Sequence, residues 1–252
     1  MKLQVASSWY QCESFPDDVT LITEHHVSPD LRCNIWHLRG RQFDALIDSG
    51  LGLVSLRDTV AGLAGRNVMA IASHTHFDHI GCHHEFEQRL CHPAEADVLR
   101  GPDAHNTVWQ AYQTTLNDQH VITALPAADF TFDDYSVVPA PPTRLIDEGE
   151  LVDLGNRVLK VFHMPGHSPG SVCLYEKTTS TLYAGDVLYD GELLDSLYHS
   201  DRDRYRETLA RLKEIPAEVF HCGHYPSFGR QRMHELVDAY ASDRARRPLF
   251  ES

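Results

Sequence analysis

The chain has 252 residues and carries 36 acidic against 22 basic side chains, a formal net charge of −14. A surface of that sign repels phosphate backbones, so no nucleic-acid partner is expected, although a local basic pocket for a small anion stays open. No stretch approaches the ~20 apolar residues of a membrane span. The first ten residues, Met1 to Tyr10, lack the apolar centre of a signal peptide, and six scattered cysteines contain no Cys-x-x-Cys pair. The expectation is a cytoplasmic protein with reduced thiols and no membrane partner.

Taken in order, residues 18–25 and 33–39 alternate loosely between apolar and polar and read as strands, with Ile35 and Trp36 favouring that state. Arg39-Gly40-Arg41 is a hairpin turn returning through Phe43 to Asp48. Leu53 to Val60 has apolar residues at helical spacing, and the apolar run over 67–72 is a second strand. Gly81 to Phe86 suggests a short helix, 88–91 a strand, and Pro93 to Leu99 a helix with proline in its first turn.

From about 101 to 142 the character changes. Aromatic residues Trp109, Tyr112, Phe130, Phe132 and Tyr135 are spread between Gly101-Pro102 and Pro139-Ala140-Pro141-Pro142. A long aromatic-bearing connection predicts a partly helical insertion over a site rather than a disordered linker. The second half restarts the first, with strands at 150–156, 157–162, 171–175, 181–184 and 218–221, and helices over 202–214 and 230–246. Two strand-rich halves, each followed by helix, predict two sheets face to face with helices outside, in one domain covering 1–252.

Chemistry concentrates in His74-Thr75-His76-Phe77-Asp78-His79, directly after the 67–72 strand. Four metal-capable side chains in six residues, at the C-terminal end of a strand, suit zinc, which makes hydroxide from water near neutral pH. Three later strand ends offer further ligands, namely His167 in a Gly/Pro-rich loop, Asp186 after Gly185, and His224 after Gly223.

With these motifs the chain resembles the metallo-β-lactamase fold of hydrolases over nearly its whole length. The resemblance rests on His74-Thr75-His76-Phe77-Asp78-His79, Gly166-His167-Ser168-Pro169-Gly170-Ser171, Gly185-Asp186 and Gly223-His224. It implies a four-layer αββα sandwich and two zinc ions per chain, with iron or manganese as alternatives. By position, His74, His76 and His167 hold one metal, Asp78, His79 and His224 hold the other, and Asp186 bridges both. Asp48, in Leu46-Ile47-Asp48-Ser49-Gly50, is implied to brace the site from behind its ligands. The resemblance implies hydroxide attack on a carbonyl, with Asp78 either as ligand and acceptor of the water's proton or as ligand alone.

The resemblance also makes Tyr189, shortly after the bridging Asp186, a candidate donor to the oxyanion, with a packing residue as the alternative. The stretches after Asp186 and His224 look most similar to acyl-coenzyme A thioesterases of this fold, so the expected partner is a small acyl thioester. Glyoxalase II shares the metal motifs, but usually adds a C-terminal helical domain. Lactonase and phosphodiesterase activities stay open, as does a metal-containing sensor without turnover. Trp109 and Tyr112 are expected to line an acyl pocket. Of the other histidines, His163 and His221 are the better candidates for supporting the ligands, ahead of His83, His84 and His199.

Overall fold

The computed structural model describes residues 3–116 and 121–246. Positions 117–120 of the expected insertion, and positions 1, 2 and 247–252 at the chain ends, lie outside the described residues. Seven strands follow one another across the first sheet: β1 (Tyr10–Phe15), β2 (Val19–Glu24), β3 (Asn34–Leu38), β4 (Asp44–Ile47), β5 (Val68–Ile71), β6 (Gln88–Cys91) and β7 (Arg144–Leu145). Pairing is antiparallel from β1 to β4 and parallel from β4 to β7. The six strands of the second sheet are β8 (Leu151–Asp153), β9 (Val158–His163), β10 (Val172–Glu176), β11 (Thr181–Gly185), β12 (Val219–Cys222) and β13 (Phe228–Gly229). Only β11 and β12 pair in parallel there, and β8 and β13 form the edges.

Strand alternation builds the layers. In β4 and β5, Ala45, Ile47, Met69 and Ile71 enter the core between the sheets, while Leu46, Val68 and Ala70 join the core on the opposite face. The second sheet mirrors this: Leu159, Val161, Val172, Leu174 and Tyr183 point inward. Cys173, Tyr175, Leu182 and Ala184 point to the outer core. Burial on both faces of β4, β5, β10 and β11 explains why these four read as largely apolar runs, whereas β9 alternates buried and exposed at Val158 to Val161.

Helices close the outer faces, giving the αββα sandwich. They are α1 (Leu56–Thr59), α2 (Phe77–Ile80), α3 (Ala96–Arg100), α4 (Trp109–Leu116), α5 (Arg202–Leu212) and α6 (Arg230–Arg246). Asp201 caps α5 by accepting from the backbone nitrogens of Asp203 and Arg204, and Tyr205, Thr208, Leu209 and Leu212 form its buried stripe. None of the helices among the described residues is long and apolar enough to cross a membrane.

Some local expectations need correction. The helix read over 53–60 shrinks to α1 and a 3-10 turn at Ala61–Leu63, and that at 81–86 to a 3-10 turn over His83–Glu85. The edge strand β1 went unread because four of its six residues, Gln11 to Ser14, are exposed and leave no alternation.

Backbone and side-chain bonds sew the sheets together beside one rim. Val172 N donates to Ser73 O at 2.8 Å and Asn34 N to Gly223 O at 2.6 Å. The Cys222 carbonyl accepts from Trp36 Nε1 at 3.0 Å and from Asn34 Nδ2 at 3.1 Å.

Candidate metal centre

All of the expected ligand loops leave strands at that rim. The C-terminal ends of β4 and β5 bring Asp48 and residues 73–79, while β9, β11 and β12 bring the loop to His167, Asp186 and His224. The single turn of α2 carries Asp78 and His79, both buried, with His76 at its N-cap. The structure thereby gathers all seven expected ligands.

Three groups of ligand atoms, each within 4.8 Å of one another, overlap here: His74, His76 and His167; His74, His79 and Asp186; and Asp78, His79 and His224. His167 Nε2 lies 3.2 Å from His76 Nδ1, and His224 Nε2 lies 3.3 Å from His79 Nε2. Asp78 Oδ2 is 3.5 Å from His79 Nε2 and 3.4 Å from His224 Nε2. Asp186 stands between the groups: Oδ2 is 3.3 Å from His224, 3.7 Å from His167 and 4.0 Å from His74, and Oδ1 is 3.5 Å from His79.

The far nitrogen of each imidazole is fixed by a partner, which selects the tautomer. Nδ1 of His79 donates to Asp48 Oδ2 at 2.9 Å, that of His167 to Leu194 O at 2.9 Å, and that of His224 to Arg32 O at 3.1 Å. Ser73 Oγ donates to Asp48 at 2.8 Å and so accepts from His74 Nδ1 at 3.0 Å. These four rings turn an Nε2 lone pair inward. His76 is reversed, with Nδ1 inward and Nε2 against His199 Nε2 at 2.9 Å. Asp48 holds its position at φ 63°, a left-handed conformation that costs a non-glycine residue energy.

The donor set fits divalent cations. His74 Nε2 and Asp186 Oδ1 are buried with no hydrogen-bond partner among the described residues, an expensive arrangement unless a cation takes their lone pairs. Burial, then neighbouring imidazoles, push the pKa values of His74 and His76 well below the ordinary range, which favours the neutral imidazole with one lone pair for a cation. At His224 burial works the same way, but the Asp186 and Asp78 carboxylates outweigh it and raise the group to about 10. The carboxylates thus demand positive charge there, as a proton or as a metal.

Two glycines permit this density. A Cβ on Gly223 would overlap Asp186 Oδ1, and one on Gly185, at φ +48°, would lie 2.5 Å from Ser73 Oγ.

Other expectations fare differently. Tyr189 is buried, its ring 5.6 Å from that of His224, but its hydroxyl donates to Glu192 O at 2.9 Å. Trp109 is a core residue against Phe77 and Tyr135, not a pocket wall. Tyr112 is half-buried on Phe77, its phenol pushed up to about 12 by burial and then by Asp78 and Asp186.

His221 and His163 do not touch the ligands: His221 stacks on Trp36 at 4.0 Å and bonds Ser227 at 2.7 Å. His163 stacks on His92 at 3.8 Å and donates to Pro169 O at 3.0 Å. The nearby group of His92, Asp147 and His163 is a poor metal site, because His92 Nδ1 already accepts from Ala94 N while Nε2 donates to Asp147.

Two residues at the centre stand higher than the sequence reading ranks them. His199, placed there behind His163 and His221, is one. Glu95 is the other, accepting from Thr75 Oγ1 at 2.9 Å and from Gly170 N at 2.8 Å, so that it ties the two ligand loops together. Their only sequence signal was chemical type.

The metallo-β-lactamase superfamily model matches residues 28–224. The chain belongs to the metallo-β-lactamase superfamily. Within this superfamily it is 38% identical to the acyl-coenzyme A thioesterase MBLAC2 of Bos taurus, over 94% of this chain and 88% of that protein. The Homo sapiens protein of the same description is 36% identical over the same shares. A solved metallo-β-lactamase family protein from Thermus thermophilus aligns with a TM-score of 0.64 at 22% identity, covering 89% of this chain and 80% of its own. That likeness is one of fold.

Proposed function

We propose that this protein is a dinuclear metal-dependent hydrolase that cleaves acyl-coenzyme A-type thioesters to a carboxylic acid and a thiol. The observation that carries the dinuclear reading is Asp186, which stands between both groups, with Oδ2 near His224, His167 and His74 and Oδ1 near His79. The thioester reading is supported by the relatives' description. We assign one metal to His74, His76 and His167 and the other to Asp78, His79 and His224, with Asp186 shared and zinc as the metal. Residues 1–252 are taken as one domain, with 101–142 as an insertion over the site.

When bound, the metals supply Lewis acidity toward the carbonyl and acidify water. Asp186 offsets repulsion between the two cations. In this reading Asp78 takes the proton of the attacking water. Tyr189 backs His224. To donate to the oxyanion, its hydroxyl must exchange the Glu192 carbonyl for substrate oxygen. A cytoplasmic location is supported by six free cysteines, five of them buried.

Elemental analysis and a hydrolysis panel of acyl-coenzyme A, lactone, lactoylglutathione and phosphodiester test this reading. Near two metals per chain and turnover of the acyl-coenzyme A are expected, lost on chelation and restored by zinc. Stoichiometric metal without thioester turnover would overturn the assignment. Asp186→Ala should lower the metal content and slow hydrolysis more than about a hundredfold, the upper range for mere outer partners of ligands.

A further inference from the structure

We infer that His199 is a positioning residue, the hydrogen-bond acceptor that fixes the tautomer of His76 and so turns His76 Nδ1 toward the metals. The inference rests on the reading of His76 as a ligand. A neutral imidazole has one N–H and one lone pair. His76 Nδ1 faces His167 Nε2 at 3.2 Å inside the centre, so a ligand role there requires the proton on Nε2. His76 is buried, and His199 Nε2, at 2.9 Å, is the hydrogen-bond partner of that Nε2 among the described residues. His199 must then accept at Nε2 and carry its own proton on Nδ1.

The two rings lie 17° from parallel with centroids 5.0 Å apart. The segment bearing His199 is itself pinned. Ser200 Oγ donates to His167 O at 2.8 Å, Asp201 N donates to Gly166 O at 2.8 Å, and Leu194 O accepts from His167 Nδ1 at 2.9 Å. On its other side the Tyr198 ring packs tilted against His105 at 4.2 Å and its hydroxyl donates to Asn106 O at 3.3 Å. Residues 194–201 therefore clasp both His76 and His167 while touching the start of the 101–142 insertion.

His76 differs from the other four ligand histidines in its support. His167 and His224 lean on backbone carbonyls, and His74 and His79 on the Ser73–Asp48 pair. His76 alone leans on a side chain whose ability to accept depends on its own tautomer. That makes the support separable by substitution. His199→Gln keeps an acceptor, the amide oxygen, whereas His199→Phe keeps a flat ring and removes it.

The experiment is zinc competition with a chelator on the loaded protein, together with 15N-edited NMR of imidazole N–H groups. In wild type, two zinc ions and a His76 Nε2–H signal are expected. In His199→Phe one of the two zinc affinities should fall about 10–100-fold, the range for outer partners of ligands, with loss or shift of that signal. His199→Gln should return the affinity to within about threefold of wild type, by restoring the acceptor. Wild-type affinities and an unchanged signal in His199→Phe would overturn the inference, as would equal weakening in both variants, which marks a packing role. A wild-type protein that binds no zinc defeats the metal reading instead, so the two failures are distinguishable.

Discussion

Glu95 takes a hydrogen bond of 2.9 Å from the hydroxyl of Thr75, a residue flanked by the candidate ligands His74 and His76. The other oxygen of the same buried carboxylate takes Gly170 N at 2.8 Å. One side chain therefore spaces the 73–79 loop against the loop that carries His167. We expect Glu95→Ala to cost about 2–3 kcal/mol, because it strands two buried donors. It should also weaken metal binding about 10–100-fold. Urea melts and chelator competition measure both, and full metal affinity in this variant would count against the spacing role.

Gly223 and Gly65 make a controlled pair. Gly223→Ala places a methyl onto Asp186 Oδ1 and 3.0 Å from His79 Cε1, so metal content and hydrolysis should fall together. Gly65→Ala meets nothing within 4 Å and bears only the strain of φ +68°, about 1–2 kcal/mol, with hydrolysis unchanged. Equal metal content in the two variants would show that the rim tolerates a shifted Asp186.

Asp44 supplies a pH test away from the centre. Burial works to raise its pKa, but bonds from Arg66, His37 and Gly40 N prevail and hold the carboxyl well below the usual range. A depressed folded-state pKa contributes stability above the unfolded value, ~4, that is lost as pH falls through the folded value. Asp44→Asn should cost about 3 kcal/mol at pH 8 and pH 6. The gap from wild type should narrow as pH falls below about 4, because the unfolded chain's carboxyl then takes up a proton while the folded one keeps its charge. Denaturant melts across that range decide it, and a gap that persists to pH 2 refutes the pairing argument.

The two insertion aromatics should separate. Trp109→Ala opens a cavity beneath Phe77 and is expected to cost about 3–5 kcal/mol. Tyr112 is half-buried on Phe77, and burial and then the charges of Asp78 and Asp186 raise the pKa of its phenol. We propose that it borders the acyl chain, so Tyr112→Ala should raise KM for long acyl chains more than for short ones. Steady-state kinetics on an acyl series tests this, and equal effects on all lengths would remove Tyr112 from the substrate path.

What the sequence disclosed follows the range of the interactions. His74, His76, Asp78 and His79 were legible because local backbone geometry brings them together after β5. His167, Asp186 and His224 were legible as polar residues ending apolar strands. His199 lies 123 residues from His76, and only the folded chain joins them. The misplaced support from His221 has a plain cause in strand alternation. Phe220 and Cys222 of β12 join the outer core, which turns His221 inward onto Trp36, away from the ligand at His224. Proximity in sequence to a ligand loop says little about which face of the sheet a residue occupies.

The core between the sheets has a consequence for synthesis. Trp36, Leu38, Ile47 and Ile71 reach their partners Leu159, Val161, Val172 and Leu174 only when the later half of the chain exists. At ribosomal speeds of ~5–20 residues per second, the first sheet waits on the order of 10 s with that face uncovered. The nascent chain is therefore most prone to aggregate when half made, and a holding chaperone that covers this face should raise yield more than any additive given after release.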